Sequence, residues 1–210
     1  MSEDFILTER PSVYLASKSP RRQELLRQID VEFDELLVRQ ASGRRRDIVE
    51  VPRKGEPALE YVKRIARTKA SVGWHRMNRR RLPPRPVLAA DTEVVVDGAV
   101  LGKPDDAASA IAMLECLSGK THDVLTAVAV RWRAHIVLAV SSSRVSFREL
   151  TRDEVERYVA TGEPFDKAGG YAIQGLASKF VESVDGCYFN VMGLPLSLVY
   201  RHWKSLTAAE

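Results

Sequence analysis

Cysteine is nearly absent, long apolar runs are missing, and the basic stretches carry almost no aromatic residues; each absence closes off a class of protein. Cys116 and Cys187 have no histidine or second cysteine beside them at metal-ligand spacing, so they are expected to be small interior residues rather than a metal centre. No segment approaches the roughly 18 apolar residues of a spanning helix. The opening MSEDFILTER has neither the basic start nor the apolar stretch of a secretory signal. A cytoplasmic protein without a membrane partner is therefore expected. Hydrophobic residues at 45% and charged residues at 29% are ordinary for a globular chain and argue against disorder. A chain of this length can bury about 70% of its unfolded surface, and no internal repeat divides it.

The net charge of +4 is concentrated in Arg44-Arg45-Arg46 and in the proline-containing stretch from Arg76 to Arg85. Such runs suit a polyanion, but a single-strand binder interleaves aromatics for stacking and these do not. Nucleic acid is accordingly not the expected partner, and the clusters read as solvated loops.

Strands and helices alternate at the front, and hairpins dominate the middle and rear. Val13 to Ser17 reads as a buried strand, and Ser19-Pro20 opens a helix with Ser as cap. A second strand is expected from Glu32 to Val38. A helix from about Pro57 to Trp74 places Leu59, Val62, Ile65, Ala66, Lys69 and Ala70 along one face, so Lys69 falls inside an apolar stripe. Val87 to Val96 reads as a buried strand, with an Asp97-Gly98 turn into Ala99 to Leu101. Asp105 or Asp106 caps a helix ending near Ser118-Gly119. Strands from Val124 to Arg131 and Ile136 to Phe147 follow, then a capping box of Thr151 with Glu154. A Gly-rich turn, a strand from Lys179 to Val184 and a closing helix from about Leu194 complete the chain. The pattern predicts an α/β fold: a mixed twisted sheet with flanking helices and two lobes around a deep cleft.

Three separated blocks collect the residues that handle a nucleoside triphosphate: LASKSPRRQELL, LAADTEVVVDGAVLGKP and DKAGGYAIQG. Arg21 and Arg22 oppose the dipole at a helix N-terminus, where cations cost roughly 0.3 to 1 kcal/mol. An anionic ligand reverses that sign, because first-turn N–H groups and two guanidinium forks suit a phosphate; two exposed surface arginines are the plainer reading. Asp91 interrupts an apolar strand, so its carboxylate is buried and needs a partner. It is either a structural ion-pair member or a catalytic base made effective by a magnesium-type ion arriving with the phosphates. Lys69 and Lys103 are charge stabilisers or merely a snorkelling and a solvated lysine. Gln174 closes the Gly-rich turn, and its amide either caps that turn or pairs with the donor and acceptor edge of uracil or thymine. His122 reads as structural.

Together these blocks, with YVKRIARTKA, LSGKTHDVLTAVAV and DGCYFNVMGLPLSLV in order, closely resemble the Maf-like nucleoside triphosphate pyrophosphatases from Tyr14 to about Tyr200. The resemblance implies a fold similar to the house-cleaning inosine triphosphate pyrophosphatases and a homodimer. It also implies divalent-metal-dependent (Mg or Mn) cleavage between the α- and β-phosphates. Residues 13–206 form the domain so defined, and residues 1–12 an extension. Position by position, Asp91 matches the family's proton acceptor and is the residue expected to meet the metal, and Lys69 and Lys103 match its active-site lysines. Ser17 and Arg22 lie in the phosphate-binding block. Arg21, Thr92 and Gln174 match positions tied to substrate choice in the branch acting on dTTP and UTP. One departure is visible: the acidic pair expected after the second strand reads Val38-Arg39-Gln40-Ala41-Ser42, so Asp47 or Glu50 is the available substitute. The alternatives to an enzyme are a nucleotide-sensing inhibitor of division with little turnover and, less favoured, a nucleic-acid binder. Release of pyrophosphate separates the first, and salt-sensitive oligonucleotide affinity the second.

Overall fold

The computed structural model describes residues 12–36, 48 and 50–207, with side chains through 203. Its elements in chain order are β1 (Ser12–Leu15), α1 (Pro20–Gln28), β2 (Glu32–Glu35), α2 (Ala58–Arg79), β3 (Val87–Val96), β4 (Ala99–Leu101) and α3 (Ala107–Leu117). There follow β5 (Thr121–Trp132), β6 (His135–Phe147), α4 (Arg152–Ala160), β7 (Val181–Asp185), α5 (Tyr188–Met192) and α6 (Leu196–Thr207). One mixed sheet runs in the order β2-β1-β3-β5-β6-β7, with β4 paired to β3. β1 is parallel to β2 and β3, and the remaining pairs are antiparallel. The expected mixed sheet with flanking helices is what forms.

Three apolar clusters wrap this sheet. α2 lays Val62, Ile65, Ala66 and Ala70 on one face, against Val87 and Ala89 of β3 and Ala127 and Ala129 of β5. On the opposite face Leu25 and Leu26 of α1 and Leu196 and Val199 of α6 meet Leu88, Ala90, Val128 and Val130. The third cluster, built by α3, α4 and the segment from Tyr171 to Phe180, takes Val94 and Val96, the far end of the same strand. β3 thus passes from one lobe into the other, and residues 91–93 are the crossing point.

The caps explain most element starts. Ser19 Oγ accepts from Arg22 N, with Pro20 opening α1. Of the two candidate aspartates, Asp106 caps α3, trading bonds with Ser109, and Thr151 trades them with Glu154 at α4.

Several boundaries differ from the sequence reading. α2 continues to Arg79, past Trp74, because no proline interrupts until Pro83 and the interior Gly73 sits where a side chain would not fit. The stretch from Arg76 to Arg79 is therefore helix, not loop, and Arg76 is buried. Arg85 is fixed too: it lies over the Tyr14 ring and bonds Ser12, the Tyr14 hydroxyl and Asp34. β7 begins at Val181 because Leu176–Phe180 forms a 3-10 turn, and α6 begins at Leu196, just after Pro195. The short α5 was not anticipated. Cys116 and Cys187 are free and half-buried rather than interior. The end of the second strand at Val38, Arg44 to Arg46, Asp47 and residues 1–11 lie outside the described residues. No described helix is long and apolar enough to cross a membrane.

Gly73 provides a test of packing against propensity. Helix propensity alone favours Gly73→Ala by roughly 1 kcal/mol, but the new Cβ would stand 2.7 Å from Val87 Cγ1 and 3.3 Å from Ala16 Cβ. Overpacking costs typically about 1 to 3 kcal/mol. Chemical denaturation should show the variant less stable than wild type.

Candidate active site

The pleat of β3 sorts three consecutive side chains. Asp91 and Glu93 continue the face carrying Val87 and Ala89, against α2, whereas Thr92 continues the face of Leu88 and Ala90, beneath α1 and α6. Lys69, 7% exposed, reaches Asp91 from α2: Nζ lies 2.7 Å from Asp91 Oδ1 and 2.8 Å from Glu50 Oε1. One buried cation therefore holds two carboxylates. Of the two acidic substitutes the sequence offered, Glu50 stands beside Lys69, and Asp47 lies outside the described residues.

Thr92 belongs to a different network. Arg22 donates from Nε to Gly193 O (2.9 Å), from one terminal nitrogen to Ser17 Oγ (3.2 Å) and from the other to Thr92 Oγ1 (3.1 Å). Three of its five N–H donors are spent on the protein, leaving two for a ligand. Thr126 Oγ1 donates to Asn190 O at 2.9 Å, so the hydroxyl proton shared between Thr92 and Thr126 comes from Thr92. Thr92 can then only accept from a ligand. Asn190 anchors the far end, its Nδ2 donating to Val124 O and to Ser143 Oγ.

All eight residues singled out in the sequence, Ser17, Arg21, Arg22, Lys69, Asp91, Thr92, Lys103 and Gln174, line one cavity of about 310 Å³. That lies within the range of small-molecule sites, roughly 300 to 1,000 Å³. The α1 N-terminus brings Ser17 to Arg22, the loop after β4 brings Lys103, and the Gly-rich turn brings Gln174. Gln174 is exposed and its amide bonds no described residue, so it does not cap the turn. Six cationic side chains, with Lys18 and Lys167 added to the four above, stand around four carboxylates. The excess suits a polyanion.

Glu93, Lys18, Lys167 and Tyr171 were not read from the sequence. Glu93 was accessible there, since a residue two positions from Asp91 in a strand shares its face. His122 has the structural role expected: its Nε2 lies 2.8 Å from the Tyr171 hydroxyl, its ring stacks edge-on with Phe147, and burial lowers its pKa to about 4, so it is neutral. It secures a cavity-lining tyrosine.

A family model described as Maf-like protein matches residues 12–206. The chain belongs to the Maf-like family. Among its curated relatives, a protein of Nitrosomonas europaea named dTTP/UTP pyrophosphatase is 48% identical over 184 residues, 88% of this chain and 89% of the relative. A protein of the same name from Aromatoleum aromaticum is 51% identical over 185 residues (88% and 90%), and one from Chromobacterium violaceum 46% identical over 203 (97% and 96%). The Maf-like resemblance read from the motifs is borne out, and the relatives carry the name of the branch those motifs resemble. Among solved structures, the Staphylococcus aureus Ham1 protein is similar at a TM-score of 0.43 and 10% identity over 65% of this chain and 71% of that one, too loose a likeness to carry an argument.

The divalent ion implied by the resemblance can be tested against these residues. No three His, Cys, Asp or Glu side chains gather to hold a metal among the described residues. Yet Asp91 Oδ2 and Glu93 Oε2 are buried and make no hydrogen bond. Unpartnered carboxylate oxygens are the donors that hard cations take, and magnesium is commonly held by one or two carboxylates completed by substrate phosphates. The Maf-like site fits such a shared ion, not a fully protein-bound one.

Burial also shifts the two carboxyls. It raises Asp91 above the usual carboxylate range although Lys69 and Arg22 pull it down, and it raises Glu93, beside Asp91, to about 8. A carboxyl whose folded pKa exceeds its unfolded one loses stabilisation as pH climbs between the two values. From the ordinary value of 4.5 to about 8, the unfolded chain ionises Glu93 freely and the folded chain resists. Melting temperature in metal-free buffer should fall across that window, and Glu93→Gln should flatten part of the fall; identical profiles would contradict a protonated Glu93.

Proposed function

We propose that this protein is a nucleoside triphosphate pyrophosphatase that hydrolyses dTTP and UTP, together with modified pyrimidine analogues, to the monophosphate and pyrophosphate. The observation that carries the reading is a buried carboxylate, Asp91, with one oxygen fixed by Lys69 and the other unpartnered, in the same cavity as the cationic N-terminus of α1. The names of the relatives support the choice of substrate.

Ser17, Arg21 and the two spare donors of Arg22 receive the phosphate chain at the helix N-terminus, and Lys103 closes on it from the β4 loop. Asp91 Oδ2 takes a proton from the attacking water, which adds to the α-phosphorus as the α–β bridging oxygen leaves with pyrophosphate. Its raised pKa makes it a stronger base than a free aspartate, closer to the working pH at which general bases are most effective. Lys69 holds that carboxylate in place. A magnesium or manganese ion, when bound with the phosphates, would acidify the water and offset their charge. Gln174 meets the pyrimidine edge, its amide supplying one donor and one acceptor. The reading includes a homodimer acting in the cytoplasm, with residues 13–206 as its catalytic domain and a house-cleaning role toward unwanted nucleotides.

Pyrophosphate release measured across canonical and modified triphosphates, with and without magnesium or manganese, tests the reading; ligand binding without release would support a sensor instead. Asp91→Asn should lower kcat by at least about 100-fold, the range lost with a general base, while circular dichroism stays native. Turnover preserved in that folded variant would remove Asp91 from the mechanism.

Substrate choice gives a separate check. Gln174→Glu removes the donor and adds a charge, and a polar group left mismatched once the base covers it costs about 1 to 3 kcal/mol. The kcat/KM for dTTP and UTP should fall more than that for CTP and GTP. A uniform fall would leave Gln174 without a role in reading the base.

A further inference from the structure

The geometry points to Glu163 as the positioning residue that sets where Gln174 stands in the cavity, and so tunes which nucleotide base is accepted. This inference rests on the reading of Gln174 given above. Glu163 does not line the cavity; it acts from behind the turn.

Its carboxylate has three donors, all from elements that hold the turn. Oε1 accepts from the Tyr158 hydroxyl at 3.0 Å and from Ala177 N at 3.4 Å, and Oε2 accepts from Leu176 N at 3.1 Å. Leu176 and Ala177 begin the 3-10 turn Leu176–Phe180, whose first N–H groups need acceptors from outside it. Tyr158 is a rigid post, a residue 1% exposed whose ring packs edge-on against Phe180. The backbone that carries Glu163 is itself fixed: Thr161 Oγ1 donates to Tyr158 O and accepts from Glu163 N at the end of α4.

Gly175 shows how closely the carboxylate seats. A Cβ on Gly175 would stand 2.5 Å from Glu163 Oε1 and 2.6 Å from Oε2. The residue immediately after Gln174 thus lies flat on the Glu163 carboxylate, and the next two donate to it. Gly175 N also bonds Ala172 O, closing the turn on its other side. Nothing comparable restrains the Gln174 side chain, which makes no hydrogen bond to a described residue. Its placement is inherited from the backbone that Glu163 holds. An amide that must match two groups on a base edge tolerates only small displacement, since productive geometry is held to about 0.5 Å.

The experiment uses Glu163→Ala, Glu163→Gln, Gly175→Ala, Gln174→Ala and the double variant Glu163→Ala/Gly175→Ala in the full chain. For each, kcat and KM are measured with dTTP, UTP, CTP and GTP, alongside hydrogen exchange of the Leu176 and Ala177 amides without substrate. Glu163→Ala should shift the substrate profile in the same direction as Gln174→Ala, lowering the dTTP to GTP ratio of kcat/KM about tenfold, the scale of one weakened hydrogen-bonded pair. The change should fall mainly on KM. Glu163→Gln, which keeps one acceptor oxygen and the side-chain shape, should recover most of the ratio. Gly175→Ala should reproduce the defect, and adding it to Glu163→Ala should cost little more, because the clash partner is gone. A loss equal for all four triphosphates, even with faster amide exchange, would overturn the inference and leave Glu163 as a support of the fold. Unchanged amide exchange would overturn it as well. A wild-type enzyme with no preference for dTTP and UTP would instead sink the proposed substrate choice; the profile shift shared with Gln174→Ala, on whichever triphosphates it favours, would still decide the role of Glu163.

Discussion

The contact between Lys69 and two carboxylates is the constraint on which the site depends. Lys69 and Asp91 are each 7% exposed, and removing a charge of that kind from water costs several kcal/mol unless it is paired. Lys69 is held between Asp91 and Glu50 at 2.7 and 2.8 Å, so α2, β3 and the segment before α2 meet at one ammonium group. Removing one partner of such a buried pair typically costs about 3 to 5 kcal/mol, and replacing the pair with apolar residues is often neutral. Stability therefore gives little reason to keep it. What the arrangement provides is a carboxylate with one oxygen anchored and the other unpartnered, beside a second carboxyl, Glu93, whose pKa burial raises to about 8.

The strand carrying Asp91 separates two kinds of work by its pleat. On the α2 side, Asp91 and Glu93 face Lys69, and the chemistry is acidic. On the α1 side, Thr92 enters a chain of hydrogen bonds through Arg22, Thr126, Asn190 and Ser143 that ends at the backbone of Cys187. That chain ties the cationic start of α1 to β5, β6 and α5. A one-residue slip of β3 would exchange the two faces and destroy both, which is why the strand is fixed in long register with β5, from Val87 opposite Arg131 to Val95 opposite Asp123.

The cavity also sets charge against stability. Arg22 loses proton affinity to burial, with Arg21 beside it opposing it further, although Asp91 compensates. Cations at a helix N-terminus oppose its dipole. These are costs in the free protein that a bound polyanion relieves. The lobe holding Gln174 is built differently, on neutral aromatic packing among Tyr158, Phe180, Phe147 and Tyr171, with Glu163 as its polar pin. The cationic start of α1 and the turn carrying Gln174 thus sit on opposite sides of the crossing point in β3.

Much of this was legible in the chain alone. Ser19-Pro20, Asp106 and the Thr151 with Glu154 pair act locally, so their helix starts follow from sequence, and an aspartate interrupting an apolar strand declares a buried charge wherever the strand lies. The order of the motifs was enough to identify the Maf-like family. Tertiary packing decided the rest. It carried α2 beyond Trp74 to Arg79, where Arg76 and Met77 are buried, and the close approach of Val87 rather than helix propensity governs Gly73. It chose Glu50 to stand beside Lys69, since which carboxylate shares a buried ammonium depends on where the chain returns. It half-buried the two cysteines and turned Glu163, unremarkable in sequence, into the acceptor behind Gln174. Local signals fix what a segment becomes; only the folded chain fixes which distant groups satisfy one another's charge and hydrogen bonds, because those partners lie dozens of residues apart and no short-range pattern encodes them.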